Sequence, residues 1–211
     1  MTFDRTMLAR YFILGTQNVT DEQMFYRVLE EALRHGITLF QYREKGLGSL
    51  TGVDKLRVAH RVRELTSAYH VPFVIDDDIV LAHIVHADGV HFGQGDGDIA
   101  ANIAASQGMF VGVSVSTQAE YERISLLPGI DNIGIGPVFE TKSKADAKPA
   151  IGLIELERLV EQSHWPSVAI GGINQDNLAA VLATAVDGAA VISMLSDSSQ
   201  IENVLNYWQQ F

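Results

Sequence analysis

The chain has 211 residues, a formal net charge of −11 and no cysteine. This length suits one domain with a substantial core, and the lack of thiols excludes disulfides, cysteine nucleophiles and Cys-based metal clusters. The acidic balance repels nucleic acid and anionic membranes at long range, yet leaves room for a small anionic ligand wherever basic residues cluster. No apolar run approaches a membrane span. The first ten residues, with Asp4, Arg5 and Arg10, hold too short an apolar stretch for a signal peptide, so a cytoplasmic location is expected.

Short apolar runs alternate with longer amphipathic stretches along the whole chain. The runs are Tyr11–Leu14, Ile37–Gln41, Pro72–Ile75, Gly89–Phe92, Met109–Val113, Asn132–Ile135, Ser167–Ile170 and Ala189–Ile192. They are rich in Val, Ile and Phe, as buried parallel strands are. Helical spacing marks Asp21–His35, where Phe25, Val28, Leu29, Ala32 and Leu33 share one face. Thr51–Tyr69, Gln118–Leu127, Leu153–Gln162, Gln175–Ala185 and Ser199–Trp208 read similarly, with weaker signals at Ile79–Val85 and Asp98–Gln107. Thr20 heads a capping-box pattern, and Thr117 and Asn174 are candidate caps for later helices. Eight βα units predict a single (βα)₈ TIM barrel over residues 1–211, in preference to a doubly wound open sheet with fewer strands.

In such a barrel the chemistry sits at the C-terminal ends of the strands. After the second run comes Gln41-Tyr-Arg-Glu-Lys45, whose alternation points Gln41, Arg43 and Lys45 to one side. After the sixth comes Gly136-Pro-Val-Phe-Glu-Thr-Lys-Ser-Lys144, with two hydroxyls and two lysines. Cations gathered at the mouth of an acidic protein point to a phosphate site. Asp76-Asp-Asp78 and Asp96 follow the third and fourth runs, where carboxylates from neighbouring strands could share a cation. An all-oxygen donor set favours Mg²⁺ over zinc. Gly171-Gly172 and Val191–Met194 end the last two runs, the usual phosphate position of the fold. His83, His86 and His91 read as packing or surface residues rather than as a metal cluster, and neither a hydrolase triad motif nor a Walker A sequence occurs.

The motifs resemble the thiamine-phosphate synthase family. Its Gln-Leu-Arg-Glu-Lys stands here as Gln41-Tyr-Arg-Glu-Lys45, and its Ile-Asn-Asp-Arg as Ile75-Asp-Asp-Asp78. Ala87-Asp-Gly-Val-His-Phe-Gly-Gln-Gly-Asp96, Gly112-Val-Ser114, Gly136–Lys144, Ala169-Ile-Gly-Gly-Ile173 and Val191-Ile-Ser193 follow in the family's order. The resemblance implies a transferase that condenses hydroxymethylpyrimidine diphosphate with a thiazole phosphate and releases pyrophosphate. It implies that the pyrimidine diphosphate is bound by Gln41, Tyr42, Arg43, Glu44, Lys45, Asp76, Ser114 and Lys144. The thiazole phosphate would be bound by Thr141, Lys142, Ser143, Gly172, Ile192 and Ser193, and Mg²⁺ by Asp77 and Asp96. Arg43, Lys45, Ser114 and Lys144 would carry the catalytic roles, with no protein nucleophile. A homodimer is the assembly the resemblance suggests, although the sequence shows no interface signature.

The chain departs from the family pattern at Asp76 (usually Asn), Asp78 (often Arg), Val80, Ser116 (often His), Lys142 and Ser143. Asp76 is expected to tighten metal dependence by adding charge where an amide is usual. A thiazole tautomerase-like relative or a non-catalytic thiazole-phosphate regulator would not need the metal carboxylates or the diphosphate cations, all of which are present.

Overall fold

A computed structural model describes residues 2–141, 143, 148–197 and 199–211. Eight parallel strands close in the order β1 to β8: β1 (Arg10–Leu14), β2 (Leu39–Tyr42), β3 (Phe73–Asp76), β4 (Gly89–Phe92), β5 (Phe110–Val115), β6 (Asn132–Ile135), β7 (Ser167–Ile170) and β8 (Gly188–Val191). Each is followed by a helix: α1 (Glu22–Arg34), α2 (Gly52–Ala68), α3 (Ile79–Ile84), α4 (Ile99–Ala105), α5 (Gln118–Ser125), α6 (Gly152–Gln162), α7 (Leu178–Leu182) and α8 (Ile201–Trp208). The expected (βα)₈ barrel is therefore the fold.

Strand alternation creates two cores. Phe12, Leu14, Phe40, Tyr42, Phe73 and Ile75 point outward and pack under the helices against Phe25, Val28 and Leu29. Three of the outward rings on adjacent strands touch, with centroids 5.8 Å apart for Phe12–Phe40 and 6.4 Å for Phe40–Phe73. Tyr11, Ile13, Leu39, Val74, Phe110, Val168 and Ala190 fill the lumen instead. A 3₁₀ turn at Arg5–Leu8 plugs the lumen from below: Leu8 is fully buried, and Phe3 packs on Phe110 at 5.5 Å. The N-terminal segment thus has a structural task that its composition did not announce.

The bottom edge carries a repeated device. The residue just before each even strand bonds twice to the start of the preceding odd strand. Asp88, Asp131 and Asp187 donate their backbone N–H to Phe73, Val111 and Ser167 carbonyls. Their carboxylates in return accept from the N–H of the same three residues at 2.9, 2.8 and 2.8 Å. Thr38 does the same for Arg10, its hydroxyl accepting at 2.8 Å. Each clamp satisfies a strand-end donor that water cannot reach easily.

Some helix ends differ from the sequence expectation. The cap of α1 is Asp21, which accepts from Met24 N–H, and Thr20 lies one residue outside. Asp ranks above Thr as a cap, so of the two adjacent candidates the carboxylate takes the position. Thr117 caps α5 as expected. The seventh helix begins at Leu178, not Gln175, because the Asn174 side chain accepts from Asp176 and Asn177 N–H and holds those residues in a turn.

Candidate active site

The strand ends enclose a cavity of about 310 Å³. Its lining includes Arg43, Lys45, Asp76, His91 and Asp96 on one side. Thr141, Ser143, Gly171, Gly172, Ile192 and Ser193 line the other, with Ser114 among the lining residues. Lys142 and Lys144 lie outside the described residues.

The expectation that Gln41, Arg43 and Lys45 share a side holds, but the three sit at different depths. Gln41 is buried in the lumen below the cavity and donates to Tyr11 Oη at 2.6 Å. Arg43 and Lys45 reach the cavity itself. The alternate residues go the other way. Tyr42 is packed beneath α1 with its ring 5.9 Å from Phe25, and burial pushes its phenol well above the ordinary tyrosine value. Glu44 accepts from Thr16 N–H at 2.6 Å and Leu50 N–H at 2.7 Å, stapling two loops together. Neither side chain lines the cavity: the strand period of two turns both to the face opposite Arg43 and Lys45.

The acidic triplet divides three ways. Asp76 faces Arg43 Nε at 3.3 Å, both nearly buried. Asp77 accepts from Lys45 Nζ at 2.6 Å, and Asp96 accepts from the same ammonium. Asp78 turns away to cap α3 through Leu81 N–H at 3.0 Å and to pair with Lys55 at 2.8 Å. Asp77 adopts a left-handed φ of +54°. This costly conformation for a non-glycine residue reverses the chain between its two neighbours. Burial opposes charge at Lys45, yet its hydrogen bonds to Asp77 and Asp96 hold the ammonium above its ordinary pKa. Burial likewise opposes charge at Asp96, but Lys45 and the Gly93 N–H keep its carboxyl below the usual range. Two carboxylate oxygens therefore converge on one cationic point. Among the described residues no third acidic or imidazole ligand joins them. An oxygen-only pair completed by water and a ligand phosphate fits Mg²⁺, which seldom takes a full protein cage.

The opposite wall is built for close backbone approach. Gly172 has φ +65°, and a Cβ there would stand 2.5 Å from the Glu140 carbonyl and 2.7 Å from Phe139 Cβ. Only glycine allows the β6 and β7 loops to meet this closely. Asn177 Nδ2 donates to the Gly172 carbonyl at 3.0 Å and fixes the turn. Ser193 opens a single 3₁₀ turn, Ser193–Leu195, after β8.

Several lining residues escaped the sequence reading. Lys148 reaches the cavity and pairs with Glu120, whose other oxygen accepts from Ser116 N–H at 2.7 Å. Gln94 donates to the Ser114 carbonyl at 2.7 Å and accepts from Arg123. His91 is 8% exposed, with Nε2 2.8 Å from Ser114 Oγ. His83, by contrast, contacts the Ala105 carbonyl, and His86 occupies a left-handed turn. The three histidines, close in sequence, thus occupy three separate environments in the fold. The inward parity of His91 with Gly89 on β4 was the available signal.

An enzyme of the (βα)₈ class that handles phosphorylated ligands matches this division into a cation-rich wall and a glycine-rich wall. Residues 10–195 match the thiamine monophosphate synthase family, and the chain belongs to it. It is 61% identical to a thiamine-phosphate synthase of Leuconostoc citreum over 99% of both chains. It is 46% identical to one of Pediococcus pentosaceus, over 95% of this chain and 94% of the other. The solved thiamine phosphate pyrophosphorylase of Pyrococcus furiosus superimposes with a TM-score of 0.84 at 31% identity, covering 98% of each chain. The chain accordingly acts in thiamine biosynthesis, condensing a pyrimidine with a thiazole moiety.

Proposed function

We propose that the cavity holds hydroxymethylpyrimidine diphosphate against β2–β5 and thiazole phosphate against β6–β8, so that the thiazole nitrogen faces the pyrimidine methylene. The carbon–nitrogen bond forms as the carbon–oxygen bond to the diphosphate breaks, and pyrophosphate leaves. Arg43 and Lys45 stabilise the departing charge, and Lys144 is assigned the same task on the strength of the family motif. Ser114 orients the pyrimidine. Thr141, Lys142, Ser143, Gly172, Ile192 and Ser193 hold the thiazole phosphate. The walls keep both rings in register, which supplies proximity without any protein nucleophile.

Asp77 and Asp96 would hold Mg²⁺ together with the diphosphate. The ion, when bound, neutralises charge on the leaving group. Lys45 would then give way and turn to the diphosphate. Asp76 keeps Arg43 in place beside them. No helix among the described residues is long and apolar enough to cross a membrane.

The observation that carries this reading is the single ammonium of Lys45 shared by Asp77 and Asp96 at the cavity wall. Its test is a coupling assay with both substrates and Mg²⁺, reading thiamine phosphate as fluorescent thiochrome. Product should form with wild type and vanish with EDTA or with Asp77→Ala. Full activity in both controls would sink the metal assignment, and no product from folded wild type would sink the reaction.

A further inference from the structure

The cavity floor holds an imidazole that neither phosphate subsite uses. His91 points inward from β4 and lies level with two glycines. It pairs in register with Gly112 on β5, and Ser114 pairs with Gly134 on β6. A Cβ at Gly112 would stand 2.5 Å from His91 Nδ1, and one at Gly134 would stand 3.5 Å from its Cε1. Two neighbouring strands thus lack side chains where the imidazole lies. Its Nε2 meets Ser114 Oγ at 2.8 Å. Below them a void of about 10 Å³ continues the floor, lined also by Tyr11 and Gln41. It has room for roughly one water.

A free serine hydroxyl is a rotor with one donor and two lone pairs. Engaged by an imidazole, it becomes directional. If Ser114 donates to Nε2, it offers the ligand lone pairs alone. If Nε2–H donates to Ser114, the hydroxyl hydrogen is left for the ligand. Either tautomer makes Ser114 selective toward the edge of a flat heterocycle, where an amino group donates and a ring nitrogen accepts.

We propose that His91 is a positioning residue that fixes the hydrogen-bonding direction of Ser114 and so selects which heteroaromatic edge the cavity accepts. This role rests on the assignment of the pyrimidine to the β2–β5 side. The glycine slot is the second observation behind it, since it gives the ring one seat.

The test is a double-mutant cycle in the full chain. His91→Asn keeps a polar group at the Nδ1 level but cannot reach Ser114, whereas His91→Gln restores an amide near the Nε2 position. Both are measured alone and with Ser114→Ala, using the amino-pyrimidine diphosphate and an analogue in which a carbonyl replaces the amino group. His91→Asn should raise KM for the amino substrate about tenfold, as for one lost hydrogen bond. It should lower the preference over the oxo analogue and leave KM for thiazole phosphate within about twofold. His91→Gln should recover most of the preference. On Ser114→Ala, His91→Asn should add less than about a twofold effect. Multiplying effects, or an equal rise in KM for thiazole phosphate, would overturn the role. Thermal melts of both variants separate it from loss of fold. Wild-type turnover with an additive cycle would refute His91 alone, whereas no wild-type turnover would refute the underlying reaction.

Discussion

Lys45→Met should move metal binding and catalysis in opposite directions. The ammonium sits where Asp77 and Asp96 would offer oxygens to a cation, so it competes with the ion. A charge-assisted hydrogen bond is worth about 1.5–3 kcal/mol when shielded from water. The Lys45 side chain is 35% exposed, enough to warrant discounting. Screening brings each bond to roughly 1–1.5 kcal/mol. Two bonds amount to about 2–3 kcal/mol, or roughly 30- to 150-fold in affinity. The methionine variant should therefore bind Mn²⁺ tens of times more tightly, read by the loss of the free-ion EPR signal during titration. Turnover should nevertheless fall about a hundredfold or more, because the leaving diphosphate loses an ammonium. Unchanged or weaker Mn²⁺ binding would refute the idea that Lys45 occupies the cation position.

Other expectations follow from individual contacts. Asp88→Ala leaves the buried Phe73 N–H without its acceptor and breaks the 2.5 Å pair with Arg63. It should cost about 2–3 kcal/mol, lowering Tm by roughly 4–12 °C in a protein of this size. A drop of under about 1 °C would remove the clamp from the account. Gly172→Ala should raise KM for thiazole phosphate at least about tenfold by forcing the β6 and β7 loops apart, with KM for the pyrimidine diphosphate little changed. Asp76→Asn removes a buried charge beside Arg43, so the Mg²⁺ titration midpoint should rise; identical midpoints would contradict the tightening role of Asp76. Burial raises the Asp78 carboxyl, but Lys55 and the Leu81 N–H outweigh it and leave the folded pKa below the ordinary value. Its stabilising contribution is therefore complete above the unfolded value near ~4 and lost as pH falls through the lower folded one. Urea midpoints of Asp78→Asn, which keeps a capping oxygen, should fall less steeply than wild type as pH drops below that value.

The barrel was legible because its signals are local. Each strand is a short run of residues such as Phe12, Phe73 and Val90 that must be covered, and each long helix shows its buried stripe, as α1 does at Phe25, Val28 and Leu29. Strand ends placed Arg43, Lys45, Asp96, Thr141, Ser143, Gly172 and Ser193 at the mouth, and all of them line the cavity. The alternation that joined Arg43 to Lys45 also carried the information that Tyr42 and Glu44 turn outward. The family motif, which treats that pentapeptide as one block, concealed it.

What the sequence by itself determined was the number and order of βα units and the chemistry available at their ends, since both depend on period and composition along one stretch of chain. Only the tertiary structure decided which partner each charged group takes. Asp76, Asp77 and Asp78 are indistinguishable as a run of three, yet closure of the barrel hands them to Arg43, Lys45 and Lys55 respectively. The seat of His91 likewise exists only because Gly112 and Gly134, far along the chain, arrive beside it. Partner choice is set by distances across strands, and those distances are fixed by register and barrel closure rather than by any neighbour in sequence.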